Sequence, residues 1–140
     1  MKNVSALVVT FVCTISVSAW AADVVVYKDA NCGCCKKWVE HLRRNGLTVD
    51  AKDVTNLNAH KSGVPGELQA CHTAMVDGYI VEGHVPASDI RRLLQERPKV
   101  SGLAVPGMPA GSPGMEGPTT QNYDVLTFDQ GGKTSVYARH

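Results

Sequence analysis

Three cysteines fall within four positions, Cys32-Gly33-Cys34-Cys35, where an apolar run, Val24-Val25-Val26-Tyr27, gives way to a helical pattern. The pattern that follows is one face of a helix, with Cys35, Trp38, Val39 and Leu42 at i, i+3, i+4 and i+7. Asn31 reads as the N-cap, which places Cys32 to Cys35 in the first helical turn. Unpaired amides and the helix dipole there favour thiolate over thiol, and so favour metal binding and redox chemistry. By this periodicity Cys35 points to the core, while Cys32 and Cys34 are freer to face solvent. Structural disulfides are the plainer alternative. Sequence neighbours such as Cys34 and Cys35 pair poorly with each other, because a bridge constrains both Cα and Cβ positions.

The chain has 140 residues, enough for one domain with a sizeable core. Lys2, the apolar stretch Val4 to Val17 and Ala19-Trp20-Ala21 together read as a secretory signal peptide over residues 1–21. The stretch is too short and too rich in Ser and Thr to read as a membrane span. Such a signal predicts export of the remaining domain, residues 22–140. The signal carries one of the 14 basic residues and none of the 13 acids, so the remainder is balanced at 13 of each. With no basic face or block, neither nucleic acid nor an anionic membrane is an expected partner. Removal of the signal also removes Cys13 and leaves Cys32, Cys34, Cys35 and Cys71. An even count in an exported chain ordinarily implies disulfides. Two bridges, however, cannot easily use three crowded sulfurs and one distant one, so the spacing favours a shared ligand.

Asp23 to Tyr27 reads as a buried strand and the helix runs to about Asn45, stopped by Gly46 at the C′ position. Leu47 to Val54 alternates as a second strand, which completes a right-handed βαβ unit with parallel strands. A short helix is expected over Asn56 to Ser62. Thr73 to Val76 and Tyr79 to Glu82 flank Asp77-Gly78, a two-residue hairpin signal. A second helix follows over about Ser88 to Glu96, capped near Ala87 or Ser88 and ended by Pro98. From Gly102 to Pro118, nine of seventeen residues are Gly or Pro. That segment reads as one long loop, uncommon in a compact domain unless functional or disordered. Tyr123 to Phe128 and Lys133 to Ala138 read as a terminal hairpin.

This order of elements, with cysteines at the first strand–helix turn, is that of a thioredoxin-like domain. The expected fold is therefore α/β, a thioredoxin-like domain with a long Gly/Pro/Met loop and a C-terminal β-hairpin. In such an architecture the loop before the third strand passes the cysteine-bearing helix start, which brings Cys71-His72 opposite the other three cysteines. Four thiolates can hold one zinc ion, but structural zinc sites usually use two separated ligand pairs. The packed CxCC run better suits sulfurs that bridge two or more ions. Soft thiolate and thioether ligands select Cu(I). His72 is a ligand candidate, and Met108 and Met115 lie in a loop able to close over the site, although loop methionines also serve as filler. His84 follows Gly83 at a strand end and could reach the same face, but a satisfied structural histidine is the favoured reading. Met75 reads as core, His41 as exposed, and His60 and His140 have no partner in view.

Cys32-Gly33-Cys34-Cys35, Cys71-His72-Thr73-Ala74, Glu82-Gly83-His84-Val85-Pro86 and the segment Gly107-Met108-Pro109 through Ser112-Pro113-Gly114-Met115-Glu116 together resemble the CopG-like family. These are exported thioredoxin-like proteins associated with bacterial copper resistance, and the resemblance spans nearly all of the chain after residue 21. It implies a periplasmic copper-binding protein whose cysteines hold a multinuclear copper cluster, several Cu(I) ions per chain. The expected metal ligands are Cys32, Cys34, Cys35, Cys71, His72, Met108 and Met115. A copper exporter or another periplasmic copper protein is the candidate partner. A metal-binding protein is expected ahead of an enzyme. The competing function is a thiol-disulfide or copper oxidoreductase in which Cys32 attacks and Cys35 resolves; Cys34, a rival resolving thiol, argues against simple exchange.

Overall fold

The computed structural model describes residues 23–140. The signal-peptide reading of residues 1–21 lies outside the described residues. Among those described, no helix is long and apolar enough to cross a membrane.

The chain runs β1 (Asp23–Lys28), α1 (Gly33–Arg44), β2 (Thr48–Asp53), two short 3₁₀ turns (Leu57–His60 and Gly66–Leu68), β3 (His72–Val76), β4 (Tyr79–Glu82), α2 (Ala87–Glu96), β5 (Gly102–Ala104), β6 (Asp124–Phe128) and β7 (Thr134–Arg139). The strands form one seven-stranded mixed sheet in the order β2-β1-β3-β4-β5-β6-β7. β1 pairs parallel with β2, and β4 pairs parallel with β5. The other ladders are antiparallel.

The expected βαβ unit is present, and α1 ends where Gly46 adopts φ +79°. Leu47 N–H then closes the turn onto the Leu42 carbonyl at 3.1 Å. At the β3–β4 turn both Asp77 and Gly78 take positive φ, 45° and 85°, as a two-residue primed turn requires. The alternating apolar residues of β1, β3 and β4 meet Trp38, Val39 and Leu42 of α1 and Ile90 and Leu93 of α2 in the main core. Both helices therefore cover the same sheet face. Each such side chain contributes roughly 1.5–3 kcal/mol when fully buried. The opposite face is covered in part by the connection between β2 and β3, whose Val64 and Leu68 pack on Ala104 and Phe128.

Several expectations need correction. The helix cap is Cys32, not Asn31: the Cys32 sulfur accepts the Cys35 N–H at 3.3 Å, while Asn31 N–H turns back to Asp29 Oδ1. The α2 cap shifts the opposite way, to Pro86, one residue before Ala87. Its Ala87 N–H donates to His41 Nε2 at 3.1 Å, so His41 is half-buried and occupied rather than exposed. The Gly/Pro segment is not one structureless loop, because its first residues form β5, paired on both sides. Met75 points away from the core and is 37% exposed. His60 stacks on Tyr27. His140 stacks on Tyr123 and meets Asp89 at 2.7 Å, so both histidines have partners.

Candidate metal centre

β1, an interior strand, delivers the chain to the end of the sheet where its own C-terminus lies, and α1 starts directly on the cysteines. The β3 end of the β1–β3 ladder, where Lys28 faces His72, brings the preceding residue Cys71 to the same place. Cys32 and Cys35 are joined in a disulfide, with Cα atoms 5.3 Å apart, and Cys34 and Cys71 are free. Cys34 Sγ lies 3.5 Å from Cys32 Sγ and 3.8 Å from Cys71 Sγ. Cys35 Sγ lies 3.5 Å from the Cys71 carbonyl. All four sulfurs fall within 4.8 Å of one another. Cys35 is fully buried, as the periodicity of α1 requires, and Cys32, Cys34 and Cys71 are half-buried.

Two imidazoles complete the centre. His72 Nε2 lies 2.9 Å from the Gly83 carbonyl, which fixes the proton on Nε2 and leaves the Nδ1 lone pair 3.4 Å from Cys71 Sγ. His84 is held the other way round. Its Nδ1 donates to the Pro113 carbonyl at 2.7 Å, which turns the Nε2 lone pair on Cys71 Sγ at 3.3 Å. Backbone carbonyls that set tautomer and ring orientation in this manner are the usual support of metal-ligating histidines. Cys71, His72 and His84 form a second ligand group that shares its sulfur with the first.

The electrostatics match. Burial, with the neighbouring His84, drives His72 down to about 3, so the imidazole is neutral at ordinary pH. Burial also lowers His84, against the opposing pull of the Pro113 carbonyl and Glu116. Cys71 is pushed up to about 12, first by burial, then by the charge and hydrogen bond of Cys34. Without a metal Cys71 therefore carries its proton, and the lone pairs of two neutral imidazoles lie within reach of it. A soft cation that replaces that proton finds sulfur and nitrogen donors already oriented.

The Gly/Pro segment closes the site with its backbone. Gly114 (φ +90°) sits so tightly that a Cβ there would lie 2.7 Å from the Cys34 carbonyl and 3.2 Å from His84 Nδ1. Internal bonds shape this loop, among them Met115 N–H to Ser112 O at 2.8 Å and Ser112 Oγ to Pro109 O at 2.7 Å. Met115, next to Gly114, is half-buried, whereas Met108 is 54% exposed. Of the expected ligands, the four cysteines and His72 come together. His84, expected to be structural, joins them. Its signal in the sequence was the placement of Gly83-His84 directly after β4, which aligns it across the ladder with the Cys71 end of β3.

The protein thus has a cysteine/histidine cluster able to bind metal. Residues 68–115, which span Cys71, both histidines and both methionines, match the family described as "Protein of unknown function, DUF411". No curated protein matches the chain. Two solved structures do, described as "Copper resistance protein copG", forms 2 and 1. Each is 48% identical, with TM-scores of 0.80 and 0.79. The match covers 85% and 84% of this chain and 98% and 96% of theirs. At that identity over nearly the whole described domain, the chain belongs to the family of copper resistance protein CopG.

Proposed function

We propose that this protein works in the periplasm, where it holds several Cu(I) ions in a multinuclear cysteine-thiolate cluster and so contributes to copper resistance. The observation that carries the reading is the convergence of four sulfurs within 4.8 Å, with two imidazole nitrogens on the same Cys71. Soft sulfur donors select Cu(I) over harder ions, and sulfurs this crowded suit bridging better than the separated pairs of a single tetrahedral ion. His72, Met108 and Met115 supplement the thiolates in this reading, the thioethers closing on bound ions without loss of a proton. The fold relationship we infer is thioredoxin-like. The order β2-β1-β3-β4, with a parallel first pair and α1 between, supports it. The periplasmic setting rests on the signal-peptide reading of residues 1–21 together with the resemblance to the CopG-like family.

The Cys32–Cys35 disulfide favours a second reading, that of a thiol-disulfide or copper oxidoreductase. Two of the four sulfurs become thiolate ligands only after two electrons enter that bond, so copper occupancy and redox state are linked. A recipient for the copper would be an exporter or another periplasmic copper protein.

Metal analysis and thiol counting on protein isolated anaerobically from the periplasm test the reading. More than one copper per chain, with four thiols titratable after denaturation and chelation, is expected. Copper-free protein that turns over a small disulfide substrate would favour the second reading instead.

A further inference from the structure

On the sheet face away from the helices lies an ion pair that the metal chemistry does not use. Lys61 and Glu82 are 5% and 0% exposed, and their side chains meet in a salt bridge. Such a pair is a poor source of net stability, because desolvation of two charges offsets their attraction. Glu82 Oε2 is also buried without a hydrogen-bond partner, a further cost that invites a local explanation.

The explanation lies in what the other oxygen does. Glu82 Oε1, besides meeting Lys61, accepts the N–H of Ala70 at 2.7 Å. Ala70 immediately precedes Cys71, in the short stretch between the second 3₁₀ turn and β3, outside the strand ladders. The next residue along β4 reinforces the contact. Gly83 adopts φ +73°, and a Cβ there would lie 2.9 Å from the Ala70 Cβ and 2.7 Å from the Val105 carbonyl. Gly83 N–H donates to the His72 carbonyl at 3.3 Å. The end of β4 is therefore a template on which residues 70 to 72 are laid.

We propose that Lys61 and Glu82 are positioning residues for Cys71. The ion pair locks the carboxylate, Oε1 pins Ala70 N–H, and Cys71 Sγ is held against Cys34 and the two imidazole lone pairs. The copper consequence rests on the function proposed above, whereas the placement of Cys71 does not. Outer partners of metal ligands typically alter affinity roughly 10–100-fold when removed.

Two double variants separate the anchor from the charge. Lys61→Met/Glu82→Gln removes both charges but keeps a carbonyl oxygen for Ala70. Lys61→Met/Glu82→Met removes the acceptor as well. In copper-free protein with Cys32–Cys35 oxidised, the rate at which iodoacetamide alkylates Cys71 is followed by mass spectrometry. We expect the Met/Met variant to react faster than wild type, and to bind Cu(I) about 10–100-fold more weakly in chelator competition, with the Met/Gln variant near wild type. Equal behaviour of the two variants, whether unchanged or equally impaired, overturns the proposal. Should the Met/Met protein fail to fold, amide exchange in copper-free wild type decides: protection of Ala70 N–H like that of β3 amides is expected, and exchange at open-loop rates overturns the proposal. Wild type that takes up no copper yet shows the expected alkylation and exchange would remove the copper reading and leave the positioning intact.

Discussion

Burial and the adjacent His84 imidazole carry His72 from an ordinary 6.5 down to about 3, and this has a consequence measurable without any metal. Between those two values the unfolded chain takes up a proton that the folded chain refuses. The unfolded state binds more protons there, so stability falls as pH falls through the window and is fully present only above 6.5. The effect is on the order of a few kcal/mol. Urea unfolding of copper-free protein at pH 7, 5 and 4 is expected to show this decline. His72→Gln, which keeps an N–H for the Gly83 carbonyl and does not titrate, is expected to show a shallower one. An identical decline in both proteins would contradict the assignment. At this scale the sequence was informative about sulfur and less so about nitrogen. Cys32, Cys34 and Cys35 announce themselves by spacing, and Cys71 by its place before a strand. The strand end placed His84 within reach of the same face but not in a ligand's role, because its orientation depends on the Pro113 carbonyl, 29 residues away, a contact no local pattern encodes.

Elements supply the geometry, and the segment between β5 and β6 supplies more of it than its composition implies. Gly114 lies against Cys34 and Trp38 of α1 and against His84, in a backbone region that side chains rarely adopt. Gly114→Ala therefore meets both a clash and a strained φ, with an expected loss of roughly 1–3 kcal/mol. It should also release the Pro113 carbonyl from His84. The check is urea unfolding together with limited proteolysis between Pro106 and Tyr123; unchanged stability and unchanged cleavage would show that the loop does not dock as described. β5 illustrates how a short interior strand is hidden. It spans only Gly102–Ala104, and its first residue must be glycine because a Cβ would fall 1.8 Å from the Ile80 carbonyl. The glycine that makes the pairing possible is the same residue that reads as loop. The first helix and the β3–β4 hairpin were legible because periodicity and the Asp77-Gly78 turn are local signals. The Asn31 cap was misplaced by one residue because a cysteine sulfur serves as the cap acceptor instead of the usual oxygen.

Across the whole molecule, sheet and loop together build one site that gathers sulfurs from two distant parts of the chain. The seven-stranded sheet brings Cys71 to the start of α1, and the Gly/Pro segment seals that contact. The most direct measurement is an anaerobic Cu(I) titration of fully reduced protein against a competing chelator, run in parallel on Cys35→Ser and Cys71→Ser. More than one Cu(I) per chain is expected in wild type, with loss of that stoichiometry in both variants to a similar degree. Saturation at one copper or none, or a Cys71→Ser protein that binds as wild type does, would contradict this expectation.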